Sequence, residues 1–165
     1  MPGGKLFNLK GLTFSRWATI SGEDQTFRTV LKGLITFKGE ILIGKKEKDD
    51  DHPISGKWHI LGGHLEHGEQ PEEAMKREAK EETGLEVEVH QLIDVMTWSD
   101  RNQALSVLYH CEASSRDAKA KDDLQEVKWV SADEIKDFVH EEEIERLEER
   151  DRQAKFLEKI RKSPF

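Results

Sequence analysis

At 165 residues the chain is long enough for one domain with a substantial core. Its net charge of −8 argues against the broad basic face that nucleic-acid or membrane-surface binding needs, yet admits an anionic substrate bridged by a cation. Charged residues make up 36% of it, against about 25% in an average domain, so a heavily ion-paired surface is expected.

The first stretch, KLFNLKGLTFSRWATI at 5–20, reads as a hairpin turning at Lys10-Gly11, within an N-terminal extension (1–25) of no evident role. FRTVLKGLITF (27–37), the turn Lys38-Gly39-Glu40 and ILIGKK (41–46) predict a firmer hairpin, because β-branched residues flank a glycine turn. A polar loop, EKDDDHPISG (47–56), leads to a short strand at 57–61 and then to Gly62-Gly63. A helix is predicted from Pro71 to Thr83. Proline suits its first turn, Glu72 and Glu73 suit its positive end, and Gly84 stops it.

Residues 85–98 alternate like a strand, SDRNQ turns the chain, and 104–113 returns antiparallel. A loop (114–123) and a strand (124–130) follow. Ser131 and Glu134 then form a capping box for a long helical region (132–162), where Ile144, Leu147, Ala154 and Leu157 or Ile160 recur at near-helical spacing. Strands, a central helix, more strands and a final helix predict a mixed sheet with helices on its faces. Cys111 sits in a strand-like setting as a small buried residue. With one cysteine, no membrane-spanning run and no leader-like N-terminus, a cytoplasmic location is expected.

The central helix poses an electrostatic problem. At about 100° per residue, Glu78, Glu81 and Glu82 fall in one sector with Ala74, bordered by Arg77 on one side and Met75 and Ala79 on the other. Like charges at these spacings repel by roughly 0.2–0.5 kcal/mol per pair, and acids in a last turn oppose the helix dipole. Lys76 and Lys80 lie elsewhere, on an ordinary solvated side. A hard divalent cation such as Mg²⁺ resolves the conflict, because it takes carboxylate oxygens and joins them to substrate phosphates.

Residues 63–85, GHLEHGEQPEEAMKREAKEETGL, resemble the Nudix box. Gly63, Glu69, Arg77, Glu78, Glu81, Glu82, Gly84 and Leu85 match its pattern at the right spacing, and Ala79 departs from the usual larger aliphatic residue. The likeness extends over roughly 27–140. It implies one Nudix hydrolase domain across 1–165, an α/β/α sandwich around a mixed β-sheet, and Mg²⁺- or Mn²⁺-dependent hydrolysis of a nucleoside diphosphate linked to another group. It further implies that Glu78 and Glu82 are the main metal ligands, with Glu81 assisting and the Gly62 carbonyl as a backbone ligand. Glu69 and Arg77 would pair. The general base would be Glu78 or a loop acid, Asp122, Asp123 or Glu126, with Asp123 preferred among these; each also reads as a solvated loop acid.

The lead-in GKWHILGGHLEHGE is most similar to MutT-like members that cleave nucleoside triphosphates. A (deoxy)nucleoside triphosphate or its damaged form is therefore the expected substrate, giving nucleoside monophosphate and pyrophosphate. ADP-ribose, nucleotide-sugar and dinucleoside polyphosphate pyrophosphatases stay open, as does a non-catalytic nucleotide-binding module. Trp98 is a candidate base platform, and Arg28 and Lys57 are candidate phosphate contacts beside Lys32 and Arg101. Trp58 and Trp129 read as packing residues. His59, His64 and His67 lack a typical zinc spacing. A homodimer completed by the two termini is a further expectation.

Overall fold

The computed structural model describes residues 27–48, 54–99, 103–141, 143–145 and 147–148, without the side chains of Phe27, Trp98 and Ser99. The proposed N-terminal hairpin, Trp17, Arg101 and the chain beyond 148 lie outside the described residues.

Strand β1 (Phe27–Phe37) turns at Lys38-Gly39, both with positive φ, into β2 (Glu40–Lys46). Then follow β3 (Trp58–Ile60), helix α1 (Pro71–Thr83), β4 (Val87–Ser99), β5 (Gln103–Ala113) and β6 (Leu124–Ser131). The sheet runs β3-β2-β1-β5-β4, with β6 pairing β2. It is mixed: β1 lies parallel to β5 over ten residue pairs, whereas the other strand pairs are antiparallel. Only the last residues of β1 pair with β2, at Thr36↔Ile41 and Phe37↔Glu40, so the two strands diverge. The chain at 61–65 runs along the edge of β1 past that point: Leu31 N–H donates to Gly63 O at 2.7 Å and Gly33 N–H to Leu61 O at 2.9 Å.

The two sheet faces bury separate apolar clusters, as alternating side-chain direction requires. Leu31, Ile35, Leu42 and Cys111 pack with Ala74, Met75 and Ala79 of α1 on one face. Leu34, Ile41, Ile43 and Val130 pack with Ile135, Val139, Ile144 and Leu147 on the other. Gly33 lets the helix come close, since a Cβ there would lie 2.7 Å from Met75 Cε. Ala79, small where a larger aliphatic side chain was the norm, is fully buried in the first cluster. Trp58 packs edge-on against Phe138 and Trp129 lies tilted against Phe37.

The start of the predicted C-terminal helical region (132–162) differs from expectation, and the region beyond 148 lies outside the described residues. Ser131 and Glu134 do bond reciprocally, with Ser131 N–H donating to Glu134 Oε2 at 2.9 Å. What they close is a turn and the short 3₁₀ helix Ile135–Asp137, not an α-helix beginning at 132. Helical residues resume at Glu141, and the described part of that stretch ends at Glu148. Among the described residues no helix is long and apolar enough to cross a membrane.

Candidate active site

Helix α1 starts without a side-chain cap at Gln70, relying on Pro71 and on Glu72 and Glu73 in its first turn. Its other end is where sequence reasoning found the trouble. Gly84 adopts a left-handed φ of 78° and returns its N–H to Lys80 O at 2.8 Å. The loop at 119–123 folds back over the same end, and Lys121 N–H donates to Glu82 O at 2.9 Å and Lys119 N–H to Thr83 O at 3.0 Å. Those amides satisfy the helix's last carbonyls and offset part of the dipole that the acids oppose.

The three acids differ in burial. Glu81 is exposed, Glu78 keeps 14% of its side-chain surface, and Glu82 is 4% exposed overall. Glu82 Oε2 accepts the Gly62 N–H at 3.0 Å. Burial pushes its pKa up to about 7, against the pull of that amide and of the Lys32 and Lys46 charges. Glu78 is likewise raised by burial, with the Arg77 guanidinium opposing the shift. Its carboxyl rests on Gly63, where a Cβ would come within 2.4 Å of Oε2.

Arg77 holds this face together. Its Nε and Nη2 donate to Glu69 Oε1 and Oε2 at 2.9 and 3.0 Å, a two-pronged bond that keeps the Glu69 carboxyl below its usual range. Nη2 also reaches His64 O at 3.1 Å, and Nη1 donates to Glu78 Oε1 and Glu81 Oε2, both at 2.9 Å. The box loop, Glu69 and two helix acids thus share one guanidinium, whose own pKa is raised in consequence.

The surrounding charges come from distant parts of the chain. Asp123 pairs with Lys46, while its Oδ1 is buried without a hydrogen-bond partner. Arg28 and Lys46 both depress the His64 imidazole, secondary to burial, which places them within electrostatic reach of the box loop. Arg28, Ala104 and Trp98 stand in one row across β1, β5 and β4. The Trp98 side chain is outside the described residues. Lys57 is exposed in the turn ahead of β3, where its carbonyl accepts the Lys46 N–H. His59 is buried beside the Ile60 carbonyl, and His64 and His67 are exposed in the box loop. Cys111 is fully buried in the first cluster, its thiol pushed up to about 12 by that burial.

Lys46 escaped the sequence reading. Only the antiparallel pairing of β2 with β6, and the irregularity between Lys45 and Lys46, bring it to Asp123, and no local spacing signals that. Among the described residues no three His, Cys, Asp or Glu side chains converge on one point as placed. Glu78 and Glu81 turn instead toward Arg77 and Glu82 toward Gly62, as acids do when cationic or N–H donors are what they find. The donor set itself, one buried and one half-buried carboxylate a helical turn apart with a third beside them, is the hard-oxygen chemistry that suits Mg²⁺.

Glu82 predicts a pH effect on the metal-free protein. An acid whose folded pKa lies above its unfolded value near 4.5 keeps its proton longer in the native state, so stability falls as pH rises through that interval. Between about pH 4.5 and 7 the loss should approach about 3 kcal/mol. Melting curves in EDTA across this range should show the decline in wild type and a flatter profile in Glu82→Gln. Parallel profiles would place the burden on another group.

Comparison with known proteins agrees with this geometry. The NUDIX domain family model matches residues 28–158. The chain is 31% identical over 125 residues to nucleoside triphosphatase NudI of Escherichia coli K12, covering 68% of this chain and 86% of that protein. Its fold is similar to the MutT protein of Methanosarcina mazei Go1, with a TM-score of 0.72, 22% identity, and coverage of 81% of this chain and 99% of the other. The MutT NUDIX hydrolase of Burkholderia pseudomallei gives a TM-score of 0.59 at 25% identity, over 66% and 85% of the two chains. With a family model spanning most of its length and a relative this alike over two thirds of it, the chain belongs to the Nudix hydrolase family.

Proposed function

We propose that this hydrolase cleaves (deoxy)nucleoside triphosphates, or damaged forms of them, to nucleoside monophosphate and pyrophosphate with Mg²⁺ or Mn²⁺. The observation that carries the reading is the seating of two acids on consecutive glycines: Glu82 on the Gly62 N–H and Glu78 over Gly63. Relatives named for nucleoside triphosphates support the choice of substrate.

Glu78 and Glu82 are the residues that would hold the divalent cation, with Glu81 and the Gly62 carbonyl beside them. When bound, the cation offsets the negative charge of the phosphates and makes water easier to deprotonate. The chain's own residues supply the rest. Arg77, fixed by Glu69 and His64, sets the direction of Glu78 and Glu81 and limits the cost of crowding them. Glu78 takes the proton of the attacking water. Its carboxyl rests over Gly63 beside the Gly62 N–H that seats Glu82, whereas Asp123 is drawn to Lys46 on β2. Water adds to phosphorus, the phosphoanhydride bond breaks, and the leaving pyrophosphate departs with the electron pair. Arg28 and Lys57 remain phosphate candidates and Trp98 a base platform. The chain from 1 to 165 acts as one domain in this reading.

A panel of nucleoside triphosphates, nucleotide sugars, ADP-ribose and dinucleoside polyphosphates tests it. With Mg²⁺, monophosphate and pyrophosphate should appear in equal amounts from one or more triphosphates. EDTA should abolish turnover and added Mg²⁺ restore it. Turnover confined to ADP-ribose or a nucleotide sugar would move the substrate class. Binding with no turnover on any member would leave a nucleotide-binding module.

A further inference from the structure

Core-facing strand positions seldom carry a cation, yet Lys32 in β1 does. Leu31 and Ile35 face helix α1, Leu34 faces the second cluster, and alternation puts Lys32 on the Leu34 side. Its side chain is 19% exposed. Burying a lysine stem is ordinary, but the ammonium then calls for partners. Nζ donates to Ile60 O at 3.0 Å, and Glu143 Oε1, from the helical stretch after His140, stands 3.8 Å away. The first contact is a hydrogen bond. The second is too long for one and acts only through charge.

The location matters more than the burial. Ile60 ends β3 two residues ahead of Gly62, the residue whose N–H seats Glu82. The Lys32 charge is felt at Glu82, although the two side chains belong to different faces of the sheet. β1 and β2 diverge there and the 61–65 segment runs beside β1, so the Lys32 ammonium at Ile60 O and the Glu82 carboxylate at the Gly62 N–H are tied to one short stretch of chain. Packing alone gives no reason for a charge at this position, where an aliphatic side chain of similar volume would fill the space at lower cost.

We propose that Lys32 contacts the substrate, its ammonium hydrogen-bonding a non-bridging oxygen of the phosphate chain, with Glu143 the counter-ion that holds it until substrate arrives. This inference rests on the phosphoanhydride-hydrolase reading above. No covalent step is involved: a carboxylate at through-space distance is exchanged for a phosphate oxygen at hydrogen-bond distance.

Kinetics of wild type, Lys32→Gln and Glu143→Gln on four nucleoside triphosphates with Mg²⁺ test the assignment. Lys32→Gln should raise KM about 10–100-fold, the usual weight of a charged hydrogen bond, and by the same factor for every base. Lys32→Arg should recover part of the loss. Glu143→Gln removes the competitor and should lower KM about 2–5-fold, within the range for a part-exposed ion pair. Unchanged KM in Lys32→Gln overturns the proposal, and so does a loss confined to particular bases, which would make Lys32 a reader of base edges. If Lys32→Gln does not fold, a raised or unchanged KM in Glu143→Gln overturns it. Calorimetry with inorganic tripolyphosphate and Mg²⁺ separates this from the substrate reading. Kd should weaken about 10–100-fold in Lys32→Gln, or in Lys32→Met should that variant fold better, whether or not any nucleotide is turned over. No tripolyphosphate binding in wild type, or equal binding in the variant, sinks the role of Lys32.

Discussion

Glu78→Gln is expected to lower kcat by at least ~10²-fold while the melting temperature holds or rises. The two halves of that expectation have separate causes. Glutamine keeps the shape of the side chain and a carbonyl oxygen for Arg77 Nη1, which now donates at 2.9 Å. It also removes a carboxylate whose burial already favours the neutral form, so the folded state loses a cost and not a support. Catalysis is affected oppositely. The amide can neither accept the proton of water nor contribute negative charge to a cation site. Pyrophosphate release and thermal melting on one preparation measure both halves. Wild-type turnover with an unchanged melt would mean that the acids of α1 are not the reacting groups. A collapsed melt would mean that Glu78 serves mainly to brace Arg77.

How far the sequence showed this in advance depended on whether the signal was local. Helix α1 runs from Pro71 to Thr83 as expected, because proline and glycine punctuate both ends and little else can occupy those backbone positions. The β1–β2 hairpin and the antiparallel β4–β5 pair were legible for the same reason, through short turns and alternation. The sector holding Glu78, Glu81 and Glu82 followed from helical geometry, though its gradient of burial did not, since that depends on the 61–65 segment lying across β1. The parallel pairing of β1 with β5 left no local trace, nor did the pairing of β2 with β3 and β6. The loop at 114–123 was legible only for its candidate acids Asp122 and Asp123, yet its backbone amides close the end of α1. At Ser131 and Glu134 the error ran the other way. A capping box specifies how a turn starts, and here Phe138 and Val139 leave the helical path to pack against Trp58 and the second cluster. Ile144 and Leu147, read as packing residues, are buried there.

The adjacent glycines at the site should fail in different ways when each is changed to alanine. Gly62 has a φ of 139°, outside what a side-chain-bearing residue adopts, and a Cβ there would stand 2.0 Å from Leu31 O. That oxygen belongs to the strand backbone and cannot swing aside. Backbone strain of about 1–3 kcal/mol and overpacking of about 1–3 kcal/mol add to roughly 2–6 kcal/mol. Against a typical stability of about 5–15 kcal/mol, Gly62→Ala should therefore melt far lower or fail to fold. Gly63→Ala meets the end of a flexible side chain instead, the Glu78 carboxyl at 2.4 Å. The carboxyl can move, so the fold should survive with a small change in melting temperature. Moving it displaces the proposed base by about 1 Å, a shift that can cost ~10²-fold in rate. Denaturant unfolding and turnover of the two variants should thus separate cleanly: stability lost at 62, activity lost at 63. Equal activity in Gly63→Ala and wild type would detach Glu78 from the chemistry. Normal stability in Gly62→Ala would mean that the 61–65 segment does not lie against β1 as described.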